Sequence, residues 1–283
     1  MGLEGKVAIV TGAWSMRGIG RSCALRLARD GADVVVSDIA RSEDRLGEDE
    51  RAVGWKGVFD VAREIEATGR RAKAILCDIT DAAQVESLVK DTVGAMGRVD
   101  ILVSAARAFM AGSESRTVVD TSEDEWDRIM AVNLRGPMSC ARFVAHHLVE
   151  AGHGGSIINI SSLAGKQPLA TAGVYSSSKA GLNMLTKVMA LELASKNIRV
   201  NAVCPGIVLT NRYSAAEEQL AMAEGITHDE WRQRWAEERA RGIPARRVAM
   251  PEDIANVVSF LASENGDYLT GQCLNVAGGL IMD

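Results

Sequence analysis

A serine, a tyrosine and a lysine stand at spacings that suit acid–base chemistry: Ser162, Tyr175 thirteen positions later, and Lys179 four positions beyond that. The run after them, Ala180 to Leu193, has a helical pattern, so Tyr175 and Lys179 share one helix face about one turn apart. A free phenol, with a pKa of about 10, is a poor acid or base at neutral pH. A cation beside it favours the phenolate and lowers that value. Bringing it to pH 7 takes about 4 kcal/mol, at about 1.36 kcal/mol per pH unit. The Lys179 ammonium is placed to supply part of this. Ser162 can hydrogen-bond a substrate oxygen and orient it. Tyr-x-x-x-Lys alone is also a common exposed helical pair, so the elements around it must carry the argument.

The first of those elements is a short apolar run, Lys6 to Thr11, that reads as a buried strand. It ends in Gly12-Ala13-Trp14-Ser15-Met16-Arg17-Gly18-Ile19-Gly20, followed by a helical pattern through Ala28. Strand, glycine-rich turn and helix bring backbone and unpaired N–H groups up to a pyrophosphate. The spacing is not G-x-G-x-x-G. A second strand, Ala32 to Ser37, ends at Asp38, where an acid can accept hydrogen bonds from ribose hydroxyls and repel a 2′-phosphate. Arg41 to Gly57 is polar and glycine-containing, and reads as a surface insertion or mobile loop.

Helices over Val58–Thr68 and Gln84–Met96 flank a third strand, Ala72 to Cys77, that ends at Asp78-Ile79-Thr80. Val99 to Ser104 is the fourth strand. Asp124 to Glu150 reads as one long amphipathic helix carrying Asn133 and a solvated or packed His146-His147 pair with no third metal ligand nearby. Strands at Gly155–Ser161, Ile198–Cys204 and Gln272–Val276, with a helix at Pro251–Ala262, complete the pattern. Strands alternate with helices without a linker break or repeat. The expected fold is α/β: one domain over residues 1–283, built on a doubly wound parallel sheet of seven strands with helices on both faces.

Composition narrows the class. Of 283 residues, 47% are apolar, and the net charge is −5 with both signs interspersed, which argues against nucleic acid as a partner. The opening MGLEGKVAIVTGA has neither a basic n-region nor a long apolar h-region, and no run reaches membrane-spanning length. Five scattered cysteines without a CxxC read as reduced thiols of a cytoplasmic protein, and no metal site is expected.

Taken together, these residues resemble the short-chain dehydrogenase/reductase family over essentially the full chain. Thr11-Gly12 through Gly18-Ile19-Gly20 is similar to that family's cofactor loop. Asp78 resembles its adenine-contacting aspartate, and Val132-Asn133-Leu134 the context of its helix asparagine. Ser162, Tyr175 and Lys179 match its catalytic residues in type and spacing. Pro205-Gly206 followed by Thr210 resembles its nicotinamide-side loop, and Thr270-Gly271-Gln272 with Gly278-Gly279 its C-terminal signature. The resemblance implies a Rossmann-type fold and hydride exchange between a nicotinamide cofactor and a small alcohol or carbonyl substrate. Tyr175 would be the general acid/base. Lys179 would lower the phenol pKa and bind the nicotinamide ribose, Ser162 would hold the substrate oxygen, and Asn133 would support a water that relays the proton. Gly12, Arg17, Gly18, Ile19, Gly20, Asp38, Asp78, Ile79, Ser104, Ala105, Tyr175, Lys179, Pro205, Gly206, Val208 and Thr210 would contact the cofactor.

Three departures stand out. Five residues separate Gly12 from Gly18 where the family usually has three. Ser104-Ala105-Ala106-Arg107 replaces the usual Asn-Asn-Ala-Gly, which removes an amide and adds a cation near the site. The Asp38–Val58 connection is longer than usual and has no assigned role. Asp38 favours NAD, whereas Arg17 is placed to meet the 2′-phosphate of NADP. The balance favours NAD, because a carboxylate against a phosphate is the larger penalty. Two alternatives stay open: an NADP-dependent 3-oxoacyl thioester (acyl carrier protein) reductase, with Arg241, Arg246 and Arg247 as candidate carrier contacts, and a non-catalytic NAD-sensing scaffold. A segment at about 208–245, with Tyr213, Met222, Trp231 and Trp235, is expected to cover the substrate. The family's pairing of its long helices across two-fold axes implies a homotetramer.

Overall fold

The computed structural model describes residues 2–42, 46–108, 117–210 and 223–282. Its elements run β1 (Val7–Thr11), α1 (Ile19–Arg29), β2 (Asp33–Asp38), α2 (Glu48–Ala52), α3 (Val58–Glu66), β3 (Ala72–Leu76), α4 (Ala82–Met96), β4 (Ile101–Ser104), α5 (Glu123–Met130), α6 (Gly136–Ala151), β5 (Gly155–Ile160), α7 (Gly173–Leu193), β6 (Ile198–Pro205), α8 (His228–Ala240), α9 (Pro251–Ala262) and β7 (Cys273–Val276). The strands form one seven-stranded sheet in the order β3-β2-β1-β4-β5-β6-β7, and every pairing is parallel.

Alternation along each strand divides the core in two. Ala8 and Val10 of β1, Val34 and Val36 of β2, and Ile101 and Val103 of β4 pack with Cys23, Val58 and Ile254, under α1, α3 and α9. Val7, Ile9, Val35 and Leu102 point the other way, onto Leu88, Val144 and Met189 of α4, α6 and α7. Each fully buried aliphatic side chain contributes about 1.5–3 kcal/mol. Because both faces are covered, the strands are nearly continuous apolar runs. That is why the sequence shows them as blocks rather than alternations.

The register matters for the site. Thr11 is level with Ser37 and with Ser104, and Ser104 is level with Asn159, so the carboxyl ends of four central strands line up. Strand order reverses between β1 and β4, which opens a crevice above their carboxyl ends.

Several expected boundaries change. The long helix through Asn133 is interrupted by a π-helical turn at Ala131–Arg135, in which the Gly136 N–H donates to the Ala131 carbonyl. Pro137 has no N–H for the Asn133 carbonyl four residues earlier, so an α-helical ladder cannot run through this point. Helix α7 begins at Gly173, before the expected Ala180, and carries both Tyr175 and Lys179. The Arg41–Gly57 run is not a free loop: it contains α2 and buries Glu50 and Trp55. Of the polar run from Thr210 to Gly242, the described helical part is the short Ala223–Glu224 end and α8; Tyr213 and Met222 lie outside the described residues. Among the described residues, no helix is long and apolar enough to cross a membrane.

Candidate active site

Tyr175 and Lys179 sit on the first two turns of α7, both buried. The Lys179 ammonium donates to the Ile160 carbonyl at 2.9 Å, at the end of β5, and lies 5.9 Å from the centre of the Tyr175 ring. Burial lowers the Lys179 pKa; the Tyr175 phenol opposes that shift, and the Arg107 guanidinium reinforces it. Arg107, one of the three departures, is therefore close enough to act on the site electrostatically.

Ser162 follows β5 directly and caps a 3₁₀ turn at Leu163–Gly165. Its hydroxyl oxygen accepts from the Ala164 N–H at 3.1 Å, which leaves the hydroxyl proton to donate. The turn packs tightly on α7: a Cβ at Gly165 would fall 2.7 Å from the Lys179 main chain. Only glycine brings the serine-bearing turn this close to the helix that holds the other two groups.

Asn133 is fully buried in the π turn. Its carboxamide accepts from the Ala108 N–H at 2.7 Å and donates to the Ala108 carbonyl at 2.9 Å and the Ser178 hydroxyl at 3.2 Å. Ser178 in turn donates to the Tyr175 carbonyl at 2.7 Å. The asparagine thus ties the segment after β4 to the turn of α7 that bears the tyrosine. Sequence reasoning missed Ser178; its only signal was its place beside Lys179 on a helix interior.

The cofactor loop is built by close approach. Gly12 has φ +73°, and a Cβ there would lie 2.3 Å from the Ala106 nitrogen; one at Gly20 would lie 2.2 Å from the Gly12 carbonyl oxygen. Helix α1 opens at Ile19 with Gly18 as its cap and no side-chain capping bond, so its first N–H groups face the crevice uncapped. That cradle, with an acid at the end of β2, fits a dinucleotide. Ser104 and Ala105 lie across from it, the Ala105 N–H donating to Thr11 at 3.2 Å. The Thr11 and Ser104 hydroxyls are buried without a partner among the described residues. Asp78 turns inward on Thr80, accepting from its N–H at 2.9 Å and its hydroxyl at 2.7 Å, while Ile79 is buried against Gly136. After Pro205, the Gly206 N–H donates to the Val276 carbonyl, Val208 bridges to Ala249, and the Thr210 N–H donates to the Val208 carbonyl.

Asp38 is buried, and its carboxylate accepts from the Trp14 N–H at 3.0 Å and the Ile39 N–H at 2.8 Å. Burial raises its pKa against the pull of Arg41 and these two amides. The two extra loop residues and the insertion after β2 meet here. The Glu50 carboxylate accepts from the Met16 N–H at 2.8 Å and the Ser15 hydroxyl at 3.3 Å. The Trp55 indole N–H donates to the Trp14 carbonyl at 2.6 Å. Arg21 lies 5.7 Å from the Trp55 ring centre and donates to the Met16 carbonyl at 2.9 Å. None of these insertion residues was expected at the site; the available signal was a tryptophan standing in a polar run. Arg17 lies 3.5 Å from Asp49 of α2 and 3.4 Å from Asp229 of α8, so the helix expected to cover the site reaches the cofactor loop. Trp231 and Trp235 stack along α8 with ring centres 6.4 Å apart. Among the described residues no group of three or more His, Cys, Asp and Glu side chains is placed to hold a metal; His147 instead meets His153 edge-on.

A family model described as enoyl-(acyl carrier protein) reductase matches residues 12–281. A short-chain dehydrogenase/reductase of Armillaria gallica is 38% identical over 282 residues, which cover 99% of this chain and 97% of that protein. A 3-oxoacyl-(acyl-carrier-protein) reductase of Thermotoga maritima is 32% identical over 285 residues, 100% of both chains. The crystal structure of an acetoin dehydrogenase from Salmonella typhimurium is similar at a TM-score of 0.76 and 34% identity, covering 97% of this chain and 95% of that one. Relatives that share both the sheet and the sequence from end to end leave one classification, and the chain belongs to the short-chain dehydrogenase/reductase family.

Proposed function

We propose that this protein is an NAD(H)-dependent oxidoreductase that interconverts a secondary alcohol and its carbonyl compound. The observation that carries the proposal is the buried Lys179 ammonium beside the Tyr175 ring on one face of α7. When bound, the nicotinamide ring accepts or returns the hydride at its C4. In the oxidative direction Tyr175, as phenolate, takes the substrate hydroxyl proton while Ser162 donates its own proton to the same oxygen and fixes its position. Lys179 stabilises the phenolate by charge and has further N–H groups for the nicotinamide ribose. The Asn133 carbonyl, which lacks its regular α-helical donor because of Pro137, is the natural place for a water that carries the proton outward from Lys179. Gly12, Arg17, Gly18, Ile19 and Gly20 would line the pyrophosphate, with Asp38 on the ribose hydroxyls and Asp78 and Ile79 beside the adenine. Ser104 and Ala105 would lie under the cofactor, with Pro205, Gly206, Val208 and Thr210 around the nicotinamide.

The acetoin dehydrogenase among the similar structures supports a small secondary alcohol as substrate. The acyl-carrier reading draws support from the Thermotoga maritima relative. Against it, Arg247 is paired with Asp253 at 2.5 and 2.8 Å, and Arg246 donates to the Arg241 carbonyl at 3.0 Å, so two of the three candidate side chains are engaged within the chain. Free thiols at all five cysteines support a reducing, cytoplasmic setting. A groove of about 830 Å³ between Asp127, Leu134, Met138 and Leu185, with Met184 and Val188 of α7 also exposed, supports pairing of α5, α6 and α7 across a two-fold axis, one of the interfaces that a homotetramer would need.

The test is a panel of secondary alcohols, ketones and 3-oxoacyl thioesters assayed with NAD(H) and NADP(H). The expected result is turnover of an alcohol–ketone pair with kcat/KM at least tenfold higher for NAD. Turnover of the thioesters alone, with NADPH, would overturn the proposal.

A further inference from the structure

Helix α2 exists only because the β2–α3 connection is long, and two of its three consecutive acids, Asp49 and Glu50, act on the cofactor loop. Glu50, 2% exposed, holds the Met16 N–H and the Ser15 hydroxyl with one carboxylate oxygen and accepts from Gly47 N–H at 3.2 Å with the other. Asp49 lies 3.5 Å from Arg17. Asp38 holds the Trp14 N–H, two residues along the same loop. An acid at the end of β2 receives the ribose 2′-hydroxyl in dinucleotide folds, so whatever that position bears faces the loop at Trp14–Met16. Two residues span at most about 7 Å, so the Glu50 and Asp38 carboxylates are attached to the loop within one phosphate's reach of each other.

Building on the NAD-dependent reading, we propose that Glu50 and Asp49 are cofactor-specificity residues that exclude a 2′-phosphate together with Asp38. A phosphate there needs N–H, hydroxyl or guanidinium donors. Glu50 already occupies the Met16 N–H and the Ser15 hydroxyl. Asp49 draws off Arg17, Arg21 is held by Glu64 at 2.7 and 2.8 Å, and Arg41 lies 3.8 Å from Asp38. Glu50 also adds a second buried negative charge beside the first. The insertion thus removes the donors that a 2′-phosphate would use and replaces them with like charge.

The experiment compares NADH and NADPH dissociation constants by fluorescence titration of the wild type, Glu50→Gln, Asp49→Asn and the double variant, with melting curves for each. Glutamine keeps the acceptor for Met16 and Ser15 and removes the charge. The expected result is a wild-type preference for NADH that narrows at least fivefold in Glu50→Gln and further in the double variant. If Glu50→Gln melts far below the wild type, the better exposed Asp49→Asn decides the matter, with at least a twofold narrowing expected. A folded Glu50→Gln and Asp49→Asn that both keep the wild-type ratio would overturn this inference while leaving the NAD reading intact. A wild type that prefers NADPH would overturn both.

Discussion

Two buried charges flank the β1–β4 switch point, and the chain holds them by different means. The Lys179 ammonium is supported by regular elements: the last carbonyl of β5 on one side and its own helix on the other. The Asp38 carboxylate is supported by irregular ones: a bulged loop whose far side is pinned by Glu50 and Trp55 from the insertion. Both groups are penalised by burial, in opposite senses, since burial disfavours the charged form of each: the amine's pKa falls and the carboxylate's rises. A charge held by a strand end and a helix turn is fixed by neighbours four residues apart or one layer away. A charge held by loops depends on residues far along the chain.

The sharpest way to break that comparison is at the Tyr175–Lys179 end. Tyr175→Phe removes one oxygen and keeps the ring. kcat is expected to fall by at least the ~10²–10⁴ that positioned proton transfer contributes, with NADH binding retained. Lys179→Met is expected to lower turnover and weaken cofactor binding as well. In the wild type the oxidation rate should rise with pH through an apparent pKa well below the ~10 of a free phenol, and residual activity in Lys179→Met should have that limb displaced upward. A pH–rate series on the three proteins checks this. Tyr175→Phe keeping more than a tenth of wild-type kcat would rule out the phenol as acid/base.

This contrast also sets what could be read from the residues alone. The seven strands, their parallel arrangement and the placing of Tyr175 and Lys179 on one helix were legible, because each depends on local periodicity or on an i, i+4 spacing. Asn133 was legible as a residue but not in its setting, since the π turn comes from a proline four residues on. Trp14, Glu50 and Trp55 were not legible. Glu50 lies in a charged stretch that composition marks as solvated, and only the fold turns it inward onto Met16, thirty-four residues earlier. The two departures from the family pattern, a long loop and a long connection, looked independent in sequence and are one packed unit in three dimensions.

At the adenine end a smaller effect is expected. On the NAD reading the Asp38 carboxylate accepts from the ribose hydroxyls, most strongly when ionised, and burial raises its pKa above the ordinary value. NADH affinity should therefore weaken as pH falls, beginning above the ~4 at which a free aspartate protonates. Asp38→Ser should remove that acid-side limb. Titrations on both proteins from pH 7 down to the lowest pH at which each stays folded make the comparison. A wild-type dissociation constant that runs parallel to that of Asp38→Ser down to that limit would show that ionisation of Asp38 does not bear on the cofactor.

The smallest effect separates strain from packing within the insertion itself. Gly54 and Gly57 both have positive φ, +64° and +62°, so alanine is strained at either site. At Gly54 an added methyl would meet nothing within 4 Å, whereas at Gly57 the same methyl would fall 2.2 Å from the Trp14 ring. Gly54→Ala should thus cost the backbone term alone, about 1 kcal/mol. Gly57 pairs its positive φ with ψ −126°, outside the left-handed well, so Gly57→Ala should cost at least that backbone term plus the displacement of Trp14, for a total of at least about 2–4 kcal/mol, since overpacking typically adds about 1–3 kcal/mol. The Trp14 N–H is one of the two amides on Asp38, so Gly57→Ala should also weaken NADH binding several-fold while Gly54→Ala leaves it within twofold. Melting curves and NADH titrations on the pair decide it. Equal losses of stability and affinity would mean that the ring yields without moving the loop, and that the insertion braces Asp38 through Glu50 rather than through the tryptophans.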